Sequence, residues 1–259
     1  MKKINLAITG CLGRMGQQLV KSSKSAKNFK LVSVTENRIV NKRVAALKPQ
    51  LNSESAFKKA NIIIDFTIPK CTLEVLKIAS KLRRKRVVIG TTGFSKKEEN
   101  LIKKYSKKIP ILKAGNMSLG INLLMYLTEI ASKSLGDNFL SKVFEVHHKH
   151  KKDHPSGTAL MLGKGIAVGK KKDFYKLAGK KYLNKKTFPY GKKINFDSMR
   201  KDEIIGNHKV FFSSGKETIT LYHEAFDRAL YSEGAFTAAK WLMGKKPGLY
   251  SMRNVLNFK

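Results

Sequence analysis

The sequence predicts an α/β chain in two parts: a mostly parallel sheet wound with helices, followed by a part of α+β character. Three observations predict it. Short apolar runs alternate with helical patterns from Ile4 to Leu112, the spacing that right-handed βαβ crossovers need. A glycine-rich turn follows the first apolar run directly. After Ser118 the rhythm changes to one helix and then strand-like runs with little helix between them. At 259 residues and 42% hydrophobic content, the chain suits one large or two modest globular domains.

The elements follow in order. Residues 4–9, INLAIT, read as a buried strand, and the helix after the glycine turn runs through Leu19 and Val20. A second strand is expected over Leu31–Glu36. The stretch from Lys42 to Asn52, with Pro49, is a poorly patterned connection, after which Ser53 caps a short helix ending near Ala60. A strand follows over Ile62–Phe66. Pro69 suits the first position of a helix, where its missing N–H has no partner to lose, and that helix continues through Val75, Ile78 and Ala79. Arg86–Gly90 is a further strand, and Ile109–Leu112 is the fifth. Between them Ser95 and Glu98 form a capping box.

Beyond Ser118 a helix carrying Leu123, Leu124, Leu127 and Ile130 leads to the strand VFEVHH, 143–148. A helix over Thr158–Val168 precedes a lysine-rich stretch of weak periodicity. Three strand-like segments, Ile194–Arg200, Lys209–Ser213 and Thr218–His223, imply an antiparallel or mixed sheet. The last helix, Ser232–Leu242, is apolar enough to pack back on the first domain.

Lysine and arginine number 53 against 18 aspartates and glutamates, a formal charge of +35. Such a charge suits a nucleic-acid or membrane-surface partner. The lysines, however, are spread over every helix and turn with no organising motif, which favours solvated faces and no specific nucleic-acid partner. No apolar run approaches the ~20 residues that span a bilayer. The start MKKINLAITG imitates a signal peptide but ends in a glycine turn, so a first strand is the better reading. Cys11 and Cys71 have no motif spacing, which suits a reducing, cytoplasmic setting.

Gly10, Gly13 and Gly16 form G-x-x-G-x-x-G between a strand and a helix. The first glycine allows the tight turn, the second lets backbone approach a pyrophosphate, and the third lets the helix pack closely on the strand. Amide groups at the helix start then face the phosphates. Glu36, at the end of the second strand, is placed to accept hydrogen bonds from a ribose. Arg14 suits the phosphates. The turns Gly90-Thr91-Thr92 and Ala114-Gly115-Asn116-Met117 follow two more parallel strands, at the sheet edge where such folds bind ligands. These residues make the first part a Rossmann-like dinucleotide-binding domain, with a second α+β domain of mixed sheet. NADH and NADPH both remain open: the Glu36 carboxylate favours a free ribose and hence NADH, while Arg38 or Lys42 is available to a phosphate.

The densest chemical signal is EVHHKHKKDHPSGT, 145–158, which holds four of the six histidines. No carboxylate or cysteine stands at a familiar zinc spacing and the lysines oppose added positive charge, so no metal site is expected. An anionic-substrate pocket fits better. Histidine moves protons near neutral pH, lysines neutralise carboxylates, and Ser156-Gly157-Thr158 at a helix start offers further donors.

Taken together, these residues closely resemble those of the 4-hydroxy-tetrahydrodipicolinate (dihydrodipicolinate) reductase family. The resemblance rests on GCLGRMG at 10–16, IDFTIP at 64–69, IGTTGF at 89–94, AGNMSLGIN at 114–122 and EVHHKHKKDHPSGTA at 145–159. It continues through RKDEIIGNH at 200–208 and EGAFTAAKWLMGKKPGLYSMRNVL at 233–256. The resemblance implies His147 as the acid–base residue and Lys151 as a proton donor facing a small dicarboxylate substrate. His148, Ser156, Gly157 and Thr158 match substrate-binding positions. Gly10, Cys11, Leu12, Gly13, Arg14, Met15, Glu36, Gly90, Thr91, Thr92, Ala114, Gly115, Asn116 and Met117 match cofactor contacts. It further implies a nucleotide domain of residues 1–118 and 229–259, a substrate and oligomerisation domain of residues 119–228, and a homotetramer. Asn37 departs from the family, standing where an arginine that contacts an adenine-ribose phosphate can occur.

Overall fold

The first apolar run is a strand, β1 (Ile4–Thr9), whose last four residues are buried. The computed structural model describes residues 3–178 and 194–258, and the chain divides into two units: Met1–Ser118 with Ala229–Lys259, and Leu119–Arg228. In the first unit β1 is followed by α1 (Arg14–Ser23), β2 (Phe29–Thr35), α2 (Glu54–Phe57), β3 (Ile62–Asp65) and α3 (Pro69–Ala79). Next come β4 (Arg86–Ile89), α4 (Lys96–Ser106) and β5 (Pro110–Lys113).

The local signals act as their chemistry requires. Ser53 Oγ accepts the Ala56 N–H at 3.1 Å and starts α2, Pro69 stands in the first turn of α3, and Ser95 and Glu98 close a capping box on α4. β2 begins two residues before its expected start, because Phe29 is buried and pairs with Ile4. It stops at Thr35, one residue short of Glu36. α2 stops at Phe57 in a turn, with the Ala60 N–H donating to the Phe57 carbonyl.

The second unit holds α5 (Leu119–Leu135), β6 (Leu140–His147), α6 (Gly157–Gly169), α7 (Phe174–Ala178), β7 (Ile194–Arg200), β8 (Gly206–Ser213) and β9 (Thr218–Ala225). α7 falls at the start of the stretch read as weakly periodic, and residues 179–193 of that stretch lie outside the described residues. The sheet order is β7-β6-β8-β9; β6 and β7 are parallel and the other pairs antiparallel, so the sheet is mixed. Val143, Phe196, Val210 and Phe212 of this sheet share a core with Leu162 and Ile166 of α6.

The chain then returns to the first unit as α8 (Ala229–Leu242), β10 (Gly248–Tyr250) and α9 (Met252–Val255). β10 extends the parallel sheet beside β5, an edge strand too short for sequence alternation to reveal. The sheet order is β10-β5-β4-β3-β1-β2. Alternation along the strands divides the core between two faces. Leu6, Ile8, Ile62 and Ile64 pack with Ala235, Ala239 and Leu242 of α8, while Ala7 and Ile63 pack with Val75, Leu76 and Ile102. From β1 the chain winds out to β2 and then crosses to β3 on the other side. The carboxyl ends of β1 and β3 therefore meet at the reversal of winding, where open parallel sheets bind ligands.

Candidate active site

Each site is built within one unit. In the first, Gly10 has φ +60°, the left-handed region that favours glycine. A Cβ on Gly16 would lie 1.9 Å from the Gly10 carbonyl oxygen, so α1 packs on its strand only without a side chain there. Gly13 differs: it is exposed, and an added Cβ would stand 3.3 Å from the same oxygen. It is the N-cap of α1, no side chain caps that end, and no acid lies in the first turn. With Arg14 exposed beside them, these amides fit the phosphates of a dinucleotide.

Glu36 is directed at this turn. Its Oε1 accepts the Leu12 N–H at 2.7 Å, and its Oε2 accepts the Asn37 N–H at 3.3 Å. Gly90–Thr92 and Ala114–Met117 follow β4 and β5 at the same sheet edge. Cys11 and Met117 are core residues, which leaves their backbone rather than their side chains for any ligand. Burial, then the Glu36 charge, pushes the Cys11 thiol up to about 11, far from reactive.

In the second unit Glu145 and His147 stand two apart on β6 and so share a face of the sheet. The register sets His147 beside Arg200 of β7, and Glu145 beside His208 of β8. Glu145 is 0% exposed and His147 7%. Glu145 Oε2 bonds His147 Nδ1. Its Oε1 accepts from Arg200 Nη2 at 2.9 Å and from the Ser156 N–H at 3.3 Å. Burial pushes the Glu145 carboxyl up, but hydrogen bonds from His147 and Arg200 outweigh it and hold the group at about 2. A carboxylate at Nδ1 keeps a proton on that nitrogen and leaves Nε2 as the reactive one. Nε2 lies close to Gly206, where an added Cβ would approach within 2.9 Å.

His208 meets His147 edge-on, with ring centroids 5.0 Å apart, and its Nε2 lies 3.3 Å from Ser156 Oγ. Burial, then the neighbouring His147, lowers its pKa to about 3, so this ring is neutral.

Of Lys149, Lys151 and Lys152, any of which the sequence alone leaves open to face the substrate, Lys151 is the one turned inward. Its side chain is 23% exposed against 65% for Lys149, and Lys152 is exposed. The Lys151 ammonium pairs with Asp153 Oδ1 at 2.8 Å. Burial raises the Asp153 carboxyl, but Lys151 and the backbone N–H groups of Asp153 and Gly157 bring it below its ordinary value. Lys151 is thereby tied to the amino end of α6. There Ser156 Oγ accepts the Ala159 N–H at 3.2 Å, Gly157 is exposed, and the first turn contains no acid. Thr158 follows, half-buried.

The four clustered histidines do not form one group. His147 is buried, His148 half-buried and His150 exposed, and His154 Nδ1 lies 2.8 Å from the Lys152 carbonyl. Burial, then Arg228, lowers the pKa of His148. Three residues that sequence reasoning gave no role complete the site: Glu145, Arg200 and His208. Each is a charged or imidazole side chain within a strand, readable as part of a shared face only once the register is known. Among the described residues, ligand atoms of Glu145, His147 and His208 lie within 4.8 Å of one another, a spacing open to a metal. The carboxylate there is already bonded to Arg200 and His147, and the guanidinium opposes a further cation.

Family models for "Dihydrodipicolinate reductase, N-terminus" and "Dihydrodipicolinate reductase, C-terminus" match residues 4–117 and 120–256. The chain is 74% identical to the 4-hydroxy-tetrahydrodipicolinate reductase of Pelagibacter ubique (strain HTCC1062), covering 100% of both. It is 39% identical to the 4-hydroxy-tetrahydrodipicolinate reductase of Buchnera aphidicola subsp. Baizongia pistaciae (strain Bp), over 99% of this chain and 100% of that one. A dipicolinate-bound dihydrodipicolinate reductase from Paenisporosarcina sp. TG-14 has the same fold, with TM-score 0.75, 22% identity, and 97% and 99% of the two chains covered. With matches that span both units, the chain belongs to the dihydrodipicolinate reductase family.

Proposed function

We propose that the chain reduces 4-hydroxy-tetrahydrodipicolinate to tetrahydrodipicolinate with NADH or NADPH, a step of lysine and diaminopimelate biosynthesis. The observation that carries this reading is the buried Glu145–His147 pair, on the same unit as Lys151 and the amino end of α6, in a chain of this family. One substrate, one NAD(P)H and one proton give product, NAD(P)+ and water.

A bound nicotinamide supplies the hydride. Loss of water from the substrate leaves a conjugated ring. The hydride adds to the ring carbon distal to the nitrogen, and His147 manages the accompanying proton at Nε2. Glu145 holds the imidazole from behind and fixes its orientation. Lys151 and the amino end of α6 receive the two carboxylates of the substrate. Glu36, already against the glycine turn, supports NADH at least as well as NADPH, since a ribose phosphate would meet its charge.

A homotetramer fits the apolar side chains exposed on the second unit: Leu123, Leu127 and Ile130 of α5, Ile219 and Tyr222 of β9, and Phe226, which is 84% exposed. Among the described residues no helix is long and apolar enough to cross a membrane, and a cytoplasmic setting agrees with the two free cysteines. Light scattering checks the assembly; a monomer would remove it. For the reaction, NADH deuterated at its transferring position should label the ring of the product. An unlabelled product would overturn direct hydride transfer.

A further inference from the structure

Asp65 ends β3, fully buried at the point where the winding of the sheet reverses. Burying a carboxylate is costly unless it is fully hydrogen-bonded, and a cation is the usual partner. Here four hydroxyls take that place. Thr9 Oγ1 and Thr67 Oγ1 donate to Oδ1 at 2.5 and 2.7 Å, Thr91 Oγ1 donates to Oδ2 at 2.9 Å, and Thr72 Oγ1 also donates to Oδ2.

The hydroxyls come from three pieces of chain: the end of β1, the β3–α3 connection and the turn after β4. Thr9 is the last residue of β1, directly before Gly10. Thr67 is in the turn after β3, Thr72 is in the first turn of α3, and Thr91 is in the turn after β4. Thr91 is bonded twice, since its Oγ1 also accepts the Thr67 N–H at 2.9 Å. The Asp65 carbonyl accepts the Gly90 N–H at 2.8 Å. The pieces meet with no slack. A Cβ on Gly10 would lie 2.6 Å from Thr67 Cγ2, and one on Gly90 would lie 2.2 Å from the Phe66 ring. A strand position that needed only filling would take an apolar side chain, as β3 does at Ile62, Ile63 and Ile64.

We propose that Asp65 is a positioning residue for the dinucleotide. Through the hydroxyls of Thr9, Thr67 and Thr91 it sets the spacing of the turns after β1, β3 and β4, so that their amides meet the cofactor already arranged. Preformed donors of this kind lose much of their value when displaced by an ångström. The proposal rests on the dinucleotide reading of the Gly10–Met15 turn.

The test is a dinucleotide titration on folded protein, with unfolding midpoints and substrate KM measured alongside. Asp65→Asn keeps the shape but turns one acceptor into a donor, which deprives two hydroxyls of their partner. It should raise the Kd for NADH about tenfold or more, with substrate KM within about twofold of wild type. Thr9→Val removes one hydroxyl without touching a turn and should raise Kd by a smaller factor, and Thr9→Ser should restore it. If Asp65→Asn does not fold, the Thr9 pair carries the test alone. A lowered midpoint with unchanged Kd in these variants would show a purely structural role and overturn the proposal. Wild-type protein that binds neither NADH nor NADPH would overturn the dinucleotide reading beneath it, a distinguishable failure.

Discussion

Arg200 donates to Glu145 across 2.9 Å, so the acid that holds His147 is itself held by a cation from the neighbouring strand. The arrangement keeps a charged carboxylate behind the imidazole and leaves Nε2 for proton transfer. It also makes the site dependent on the β6–β7 register, which pairs His147 with Arg200.

Glu145→Gln keeps the shape of the side chain but removes the charge. A positioned proton donor contributes ~10²–10⁴ in rate, and losing its orienting partner should cost a share of that, about 10- to 100-fold in kcat. NADH binding should be unchanged. Breaking one side of a buried ion pair also costs roughly 3–5 kcal/mol, so kcat must be read well below the unfolding transition. Near-normal kcat in folded protein would remove the orienting role.

His147→Gln and Lys151→Ala should separate in their kinetics. The first removes the proton carrier and should lower kcat chiefly, by ~10²–10⁴. The second removes a charge facing a carboxylate and should lower kcat/KM through KM as well. Asp153→Asn, which releases the Lys151 ammonium from its 2.8 Å pair, should raise KM with a smaller change in kcat. Steady-state rates over a range of substrate concentrations, at matched ionic strength, decide this. Three variants with wild-type kinetics would reduce the segment to a basic surface loop.

Stability should fall on acidification in two overlapping windows. His208 has a folded pKa of about 3 against its ordinary 6.5, so the unfolded chain takes up the proton first and stability drops as pH falls from 6.5 towards 3. Glu145 has a folded pKa of about 2 against 4.5; its contribution is complete above 4.5 and is lost as pH falls towards 2. In both cases the unfolded chain binds more protons, so stability rises with pH. Urea midpoints at successive pH values check this. His208→Gln should flatten the slope between 6.5 and 4.5, and an unaltered slope would contradict the assignment.

Gly13→Ala and Gly16→Ala should fail differently. A methyl on Gly16 meets the Gly10 carbonyl oxygen at 1.9 Å, so that variant should lose much of its stability. Gly13 is exposed and has room for a methyl with only a small shift, so Gly13→Ala should fold yet bind NADH at least about tenfold more weakly, where backbone must approach the pyrophosphate. Calorimetric titration beside thermal melts reads both effects. A folded Gly13→Ala protein with unchanged affinity removes the assigned pyrophosphate contact.

Most of the first unit was legible because its signals are local. Apolar runs, Pro69, Ser53 and the Ser95–Glu98 box each act within a few residues. β10 was not legible, since three residues beside β5 carry no periodicity. The candidate site was legible in part. His147 and Lys151 lie in one matched string, but which of Lys149, Lys151 and Lys152 turns inward was not legible, because it depends on the pair with Asp153 that only the folded chain shows. The shared face of Glu145, Arg200 and His208 depends on the pairing of β6 with β7 and β8, and nothing in the spacing of these segments reveals which residues stand side by side. Asp65 was hidden in the same way: Thr67 and Thr72 follow it closely in the chain, but Thr9 and Thr91 come from the neighbouring strands that the parallel sheet sets beside it.

Whether this chain is the reductase is decided by one coupled assay. Freshly generated 4-hydroxy-tetrahydrodipicolinate is added with NADH or NADPH, and cofactor oxidation is followed for wild type and for folded His147→Gln. The expected result is substrate-dependent oxidation by the wild type, with NADH used at least as well as NADPH, and a rate lower by ~10²–10⁴ in the variant. Folded wild-type protein that binds the dinucleotide yet oxidises neither cofactor in response to this substrate would contradict the assignment.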